Sequence, residues 1–334
     1  MPGCHYVVEA TPLGPISSNL QVTMKVGIVG AGRVGCACAL AMVDRGSARE
    51  IVLVDRTRER AAAVATDLGY GTPLSPRTDV SAGDYAALAG ASLVMITAGV
   101  NEKTGGATNR NDPRGRLRLL DKNAAIYRDV VPRVVREAPA AVILVVTDPP
   151  DPLADIARGC ARHHQVLSTG TFIDSLRFRT HLARRFQVDP ADVEAQVIGD
   201  HGTSQVFVWS GARIAGVPVK KLIEDRHESF ADFRRDLEQA VRYANITIIE
   251  GNEASQFGIG IVSARIAEAV VRDERAVIPI GSLIPRFGVT LSLPSVVGRG
   301  GVLQILKPEL LPEERHALEV SAANLREALA QAAA

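Results

Sequence analysis

The feature that most constrains this chain is a glycine-rich turn placed between two apolar elements. The segment "KVGIVG" (25–30) is apolar on both faces, as a buried parallel strand must be. It runs straight into Gly30, Ala31, Gly32, Arg33, Val34 and Gly35, a G-x-G-x-x-G, and a helical pattern follows over 33–46. The three glycines serve the tight turn, the approach of backbone to a pyrophosphate, and the packing of helix on strand. Phosphates would then lie at a helix N-terminus, where free N–H groups and the helix dipole favour anions. Asp55 closes the next apolar run, "IVLVD" (51–55). A carboxylate there accepts hydrogen bonds from ribose hydroxyls and repels a 2′-phosphate, so the expected cofactor is NAD rather than NADP. Arg56 and Arg58 are the counter-argument, since arginines near this point can hold such a phosphate.

The same alternation continues. "SLVMITA" (92–98) and "AVILVVT" (141–147) read as further buried strands, and 57–68 and about 116–137 as helices. This is an α/β pattern and predicts a Rossmann-type doubly wound parallel sheet, with ligands at the carboxyl ends of its strands. Past about residue 165 the pattern changes. Helices near 172–186, 228–250 and 255–273 surround "AVIPIGSLI" (276–284) and "VTLSLPSVV" (289–297), and an amphipathic helix covers about 312–330. That predicts an α+β catalytic domain. A chain of 334 residues exceeds one hydrophobic core. The expected organisation is an N-terminal arm or tail over 1–23, an NAD-binding domain over 24–165 and a substrate domain over 166–334, with the cleft between the two domains. Met24 opens the first strand, so 1–23 reads as a loose tail after an upstream start codon in preference to an arm on a neighbouring subunit.

The formal charge of +1 gives no general pull toward nucleic acid or an anionic membrane. The longest apolar runs, such as "AAVILVV" (140–146), are far too short to cross a bilayer. The four cysteines, Cys4, Cys36, Cys38 and Cys160, form no CxxC pair, and their spacing argues against a disulfide framework and against a structural metal. The N-terminus shows no basic start followed by an apolar core, so a cytoplasmic protein is expected.

Three polar segments carry chemistry. "STGTFIDSLRFR" (168–179) puts Asp174 and Arg177 on one face of a helix. "VIGDHGTSQVFVWSG" (197–211) puts His201 in a glycine-flanked turn. "ITAGVNEKTGGATNRNDPRGRLRLLDKN" (96–123) is a long, basic, flexible loop that ends with Arg116 and Asn123. Singly, these residues read as a structural histidine, a helix salt bridge and a solvated loop charge. Together with the GAGRVG turn, "ITAG" and "EASQFGIG" (253–260), they stand in the order of the L-lactate/L-malate dehydrogenase family. The chain resembles that family from about 24 to 330, on its lactate-dehydrogenase-like side.

The resemblance implies an NAD-dependent oxidoreductase that interconverts a 2-oxo acid and an L-2-hydroxy acid, with malate dehydrogenase or a non-catalytic NAD-binding homologue as alternatives. His201 would be the proton donor, Asp174 its orienting partner, and Arg177 the grip on the substrate carboxylate. Arg116, seven residues before Asn123, would polarise the carbonyl, with Arg110 and Arg114 as its competitors. Thr97, Ala98, Gly99, Asn123 and Thr147 would join Gly30, Gly32, Arg33, Val34, Gly35 and Asp55 on the cofactor. The loop would be the family's mobile lid, and the protein a homodimer or homotetramer. NAD- and metal-dependent glycosidases share this ancestry, but neither Cys160 nor His163 has a convincing partner ligand.

Several positions depart from the family. Glu102 stands at the specificity position, where lactate dehydrogenases usually have Gln and malate dehydrogenases Arg. It either repels a second substrate carboxylate or points to solvent, unless Lys103, Arg110 or Arg114 folds in to replace it. Fourteen residues separate it from Arg116, about twice the usual interval, so the lid is enlarged, as in certain parasite lactate dehydrogenases. Asp148, in "TDPPDP" (147–152), replaces an asparagine that donates to the reacting oxygen, which an ionised carboxylate cannot do. It would also put negative charge beside the nicotinamide and bias the enzyme toward alcohol oxidation. Asn245 and Ser255 stand where Ala and Thr are frequent, and with Glu102 they suggest a polar or cationic substrate tail. Arg179 matches the arginine of a sugar-bisphosphate activation site, but Glu194 takes the place of its histidine, so no such activation is expected.

Overall fold

The computed structural model describes residues 24–112 and 114–333, and the tail over 1–23 lies outside them. Six parallel strands form the first half: β1 (Lys25–Val29), β2 (Glu50–Val54), β3 (Asp79–Gly83), β4 (Leu93–Ile96), β5 (Val142–Val145) and β6 (Val166–Ser168). Their spatial order is β3-β2-β1-β4-β5-β6, so the chain changes direction across the sheet between β1 and β4. Helices α1 (Arg33–Arg45) and α2 (Arg58–Gly71) belong to one half of the winding. The short α3 (Glu102–Gly105), α4 (Leu120–Glu137) and α5 (Pro150–Ala161) belong to the other. Alternation along the strands divides the core. Leu93 and Met95 of β4 face one apolar cluster with Cys38 and Met42 of α1, while Val94 and Ile96 face a second with Tyr127 and Val131 of α4.

The second half holds α6 (Phe172–Phe186), five two-residue strands, β7 (Val193–Glu194), β8 (Val197–Ile198), β9 (Val206–Phe207), β10 (Arg213–Ile214) and β11 (Val217–Pro218), and the helices α7 (Val219–Glu224), α8 (Phe230–Arg242), α9 (Ala244–Asn252) and α10 (Phe257–Val271). These are followed by β12 (Ala276–Ile284), β13 (Val289–Gly298), β14 (Gly301–Ile305) and α11 (Pro312–Ala333). Strands β12 to β14 do not build a sheet of their own. They extend the first sheet antiparallel through the Gly281–Ser168 pairing, giving nine strands in one layer. Gly281 permits this, because a Cβ there would lie 1.8 Å from Ser168 Oγ.

Three other features differ from the sequence expectation. Residues 228–250 are two helices, broken at Tyr243 (φ −106°, ψ 13°), and the break turns α9 toward the cleft. Strand β3 has no apolar run; it is a partly exposed edge strand held by β2 alone, which is why hydrophobic patterning missed it. Between the strand ending at Ile96 and α4, the chain is not a featureless loop. Asn101 caps α3 by accepting from the Thr104 N–H at 2.9 Å, and residues 115–119 form a tight 3₁₀ turn packed on α3. Among the described residues no single helix is long and apolar enough to cross a membrane.

Candidate active site

A cleft opens at the carboxyl ends of β1, β4 and β5, where the strand order reverses, as expected for an open α/β sheet. Its first end is made of backbone. Gly30 has φ +110°, and a Cβ on it would come within 2.7 Å of the Ala98 nitrogen. A Cβ on Gly35 would lie 1.9 Å from the Gly30 carbonyl oxygen, so helix α1 can approach β1 this closely only with glycine there. Gly32, the residue before α1, meets nothing within 4 Å and leaves an open cradle before the helix N-terminus. Asp55 accepts from the Ala31 N–H at 2.7 Å and the Thr57 N–H at 2.8 Å, which ties the end of β2 to the turn. Val34, Thr97, Gly99 and Thr147 line the wall opposite. The Thr97 hydroxyl donates to Gly30 O at 2.8 Å, and that of Thr147 donates to Ala98 O at 2.9 Å. This end is a preformed surface of the right chemistry for a dinucleotide, with a cradle for phosphate and a carboxylate beyond it.

Asn123 was expected on the cofactor, but its side chain is fully buried. It accepts from the Val100 N–H at 2.7 Å and donates to Asp148 O at 2.7 Å, so it joins the start of the lid to the strand end. Arg33 is exposed and reaches across the mouth to Glu253 at 3.1 Å, where Lys103 also pairs at 2.7 Å.

The other end is made of charged side chains drawn from across the sequence. His201 and Asp174 are both buried, and His201 Nδ1 is hydrogen-bonded to Asp174 Oδ2. Burial weighs against the imidazolium, but the Asp174 carboxylate outweighs it, so the His201 pKa stands above its ordinary value. Burial likewise opposes ionisation of Asp174, yet His201, with Arg177 and Arg116 behind it, holds that carboxyl well below the usual carboxylate range. Arg177 donates from Nη1 to Asp174 Oδ1 at 3.1 Å and faces the cleft. Burial lowers its pKa, against the pull of Asp174.

Arg116 is buried in the cleft wall, with Nε 3.4 Å from both Glu102 Oε1 and Asp148 Oδ2, and Nη1 3.4 Å from the His201 carbonyl oxygen. Burial opposes its charge, and the carboxylates of Asp148 and Glu102 more than offset that. Its competitors are elsewhere: Arg110 is exposed and pairs with Glu250, and Arg114 is not among the cleft-lining residues. Glu102 does not point to solvent. It lines the cleft and accepts from Asn245 Nδ2 at 2.8 Å. Burial first, and then the Asp148 charge, push its pKa up. Asp148 also lies 3.8 Å from His201 Nε2, so its carboxylate sits between the histidine and Arg116. Ser255 and Asn245 complete the lining on this side.

Sequence reasoning did not single out Asp151. It is fully buried in the first turn of α5 and accepts from the Ser168 hydroxyl at 2.5 Å and from the His201 N–H at 2.7 Å. Burial and the neighbouring Asp200 charge push it up to about 7. The sequence signal for it was an acid in a helix turn whose other residues, Pro150, Pro152, Leu153 and Ala154, are all of core type. Arg179 donates to Ala195 O at 3.0 Å, which commits its Nε to the fold. Among the described residues no cluster of His, Cys, Asp or Glu could hold a metal ion.

Comparison with known proteins gives a consistent picture. Residues 24–167 match the family model for the lactate/malate dehydrogenase NAD binding domain, and residues 171–334 match the model for the lactate/malate dehydrogenase alpha/beta C-terminal domain. An L-lactate dehydrogenase of Deinococcus radiodurans is 44% identical over 304 residues, covering 91% of this chain and 97% of that protein. One from Chloroherpeton thalassium is 43% identical over 309 residues, covering 92% and 99%. Among solved structures, a lactate dehydrogenase from a Medee basin deep-sea metagenome library superimposes with a TM-score of 0.85 at 33% identity, covering 94% of this chain and 100% of that one.

Proposed function

The chain belongs to the lactate/malate dehydrogenase family, and from that premise we propose how its own residues carry out the reaction. The activity is that of a lactate-dehydrogenase-like, NAD-dependent 2-hydroxy acid dehydrogenase. Its L stereochemistry follows the names of its relatives, the L-lactate dehydrogenases. The cofactor, when bound, supplies or accepts the hydride. Arg177 takes the substrate carboxylate on the guanidinium nitrogens that Asp174 leaves open, a planar fork that lysine cannot reproduce. His201 presents Nε2 to the reacting oxygen because Nδ1 is committed to Asp174. In reduction Nε2–H gives its proton to the carbonyl oxygen; in oxidation Nε2 accepts the hydroxyl proton. Arg116 stabilises negative charge developing on that oxygen. The segment from α3 through the 115–119 turn acts as the lid and excludes water.

The observation that carries this reading is the buried His201–Asp174 pair with Arg177 beside it. Leaving one member of such a buried ion pair alone costs about 3–5 kcal/mol, so the constellation is held as a unit. Asp55 supports NAD over NADP, because its carboxylate would face a 2′-phosphate. Glu102 supports the lactate side of the family over the malate side, since a second substrate carboxylate would meet it. We also propose a domain division near residue 165, a cytoplasmic location, and a homodimer or homotetramer. Leu40 of α1 and Phe257 and Ile261 of α10, all more than half exposed on two helices packed together, support the oligomer.

The deciding experiment follows NADH oxidation with pyruvate, oxaloacetate and branched, aromatic and polar-tailed 2-oxo acids, with NADPH in parallel and His201→Ala as control. Turnover of a monocarboxylic 2-oxo acid that depends on His201 and on NADH is expected. Equal turnover with NADPH would overturn the assignment of Asp55, and preference for oxaloacetate would overturn that of Glu102.

A further inference from the structure

The charged side chains lining the substrate end are Glu102, Arg116, Asp148, Arg177 and His201, with Asp174 directly beneath. Three carboxylates therefore face two guanidiniums and one imidazolium. The site is neutral with His201 protonated and already anionic with His201 neutral, before any substrate charge is counted. Beyond Arg116, already counted, the lid brings no cation inward: Lys103 is spent on Glu253, Arg110 on Glu250 and Arg118 on Asp112, and Arg114 does not line the cleft. A substrate carboxylate on Arg177 leaves an excess negative charge in a buried site, which low-polarity surroundings penalise strongly.

Two acceptor oxygens stand beside that excess. Both hydrogen bonds of Glu102 fall on Oε1, from Arg116 and Asn245, and Oε2 has no hydrogen bond among the described residues. Asn245 donates one N–H to Glu102, and its Oδ1 is an acceptor on the same wall. Glu102 Oε1 and Asp148 Oδ2 each lie 3.4 Å from Arg116 Nε, and Asp148 Oδ1 lies 3.8 Å from His201 Nε2, so Glu102 belongs to the same small cluster as the proton-exchanging nitrogen, which suits a short substrate side chain.

Resting on the dehydrogenase reading above, we propose that this chain acts on L-2-hydroxy acids, and their 2-oxo counterparts, whose short side chain ends in an ammonium group seated on Glu102 Oε2 and Asn245 Oδ1. The ammonium restores the missing positive charge and supplies donors to these two acceptor oxygens. Burial first, and then the Asp148 charge, raise the Glu102 pKa, and a cation seated there would counter both. The redox step is the established one. C2 gives its hydride to NAD+, the hydroxyl gives its proton to His201, and the C2–O bond becomes a carbonyl, with the amine unchanged.

The test measures NADH formation by the full chain with L-4-amino-2-hydroxybutanoate and L-isoserine against L-2-hydroxybutanoate and L-lactate. The aminated acids should exceed their neutral counterparts in kcat/KM by about tenfold or more, since a desolvated charge match is worth at least that much. Glu102→Gln should abolish or invert the preference, and Glu102→Asp should keep it. If the neutral acids are preferred and their oxidation needs His201, the ammonium subsite is wrong while the dehydrogenase reading stands. If no acid is oxidised although NADH binds, both fall. The wild-type comparison decides the matter even if a variant does not fold.

Discussion

At the cofactor end of the cleft the contacts are backbone edges, glycine turns and short hydroxyls, all within the first 150 residues and joined by hydrogen bonds to backbone carbonyls. At the substrate end five charged or polar side chains, Glu102, Arg116, Asp148, His201 and Asn245, face one another at 2.8–3.8 Å. The first end is specified by shape and at Gly30 and Gly35 has no room for an added atom. The second is specified by charge balance and tolerates shape but not neutralisation. A backbone site suits a ligand part common to many enzymes. A charge-built site can be retuned by single substitutions such as those at Glu102 and Asp148 without disturbing the sheet that carries it.

The largest effect should come from the charge-built end. His201→Ala removes the group placed to exchange a proton at Nε2, and kcat/KM should fall about 10³-fold in both directions with NADH affinity unchanged. A stopped-flow measurement of hydride transfer checks this; an equal loss of NADH binding would erase the distinction between the two ends. The converse is Gly35→Ala. Its added carbon, 1.9 Å from Gly30 O, forces helix α1 off β1 at a cost of about 1–3 kcal/mol. Weaker NADH binding and a lower melting temperature are expected, whereas an unaltered Kd would show that the turn is not shape-limited.

A smaller and pH-dependent effect sharpens the comparison beneath His201. Asp151 has its folded pKa raised to about 7, so the folded state holds a proton that the unfolded chain has already released. Its contribution is therefore fully present below the unfolded value, about 3.9, and is lost as pH rises toward 7. Asp151→Asn keeps an acceptor for the His201 N–H and removes the charge. The variant should gain about 1–3 kcal/mol relative to wild type between pH 4 and pH 8. Denaturant melts at both pH values decide it, and parallel curves would refute the buried-proton account. The His201–Asp174 pair runs in the opposite sense at low pH. The stability due to the depressed Asp174 is lost as pH falls through its folded pKa, and that due to the raised His201 is lost as pH rises through its own. Least of all should change on Glu253→Gln, which cuts the exposed link from Arg33 and Lys103 across the mouth. Surface pairs contribute little, so KM should move less than about threefold. A larger change would mean that the rim governs lid closure.

The legibility of the two ends in the sequence followed their construction. The cofactor end rests on one uninterrupted motif: the glycine spacing between a strand and a helix located Gly30, Gly32 and Gly35, and the end of the next apolar run located Asp55. Asn123 is the exception there, because an amide near the cleft and an amide behind its wall look alike in sequence. At the substrate end, motif order indicated His201, Asp174 and Arg177, but not how the remaining charges face one another. Spacing from Asn123 chose Arg116 over Arg110 and Arg114, but the inward direction of Glu102 needed the fold of the lid. Asp151 was hidden because nothing in a one-dimensional pattern says that the N–H of His201, fifty residues away, needs an acceptor.

The sequence by itself determined the parallel β/α winding, the glycine turn and the apolar strands, since these depend on periodicity and on residues next to one another. Only the tertiary structure decided that β12 to β14 join the first sheet, that Lys103 and Arg110 of the lid pair with Glu253 and Glu250, and that Glu102 and Asp148 share Arg116. Those outcomes depend on which distant groups are brought together in a poorly solvated cleft, where Coulomb energies depend on separation and burial and not on order along the chain.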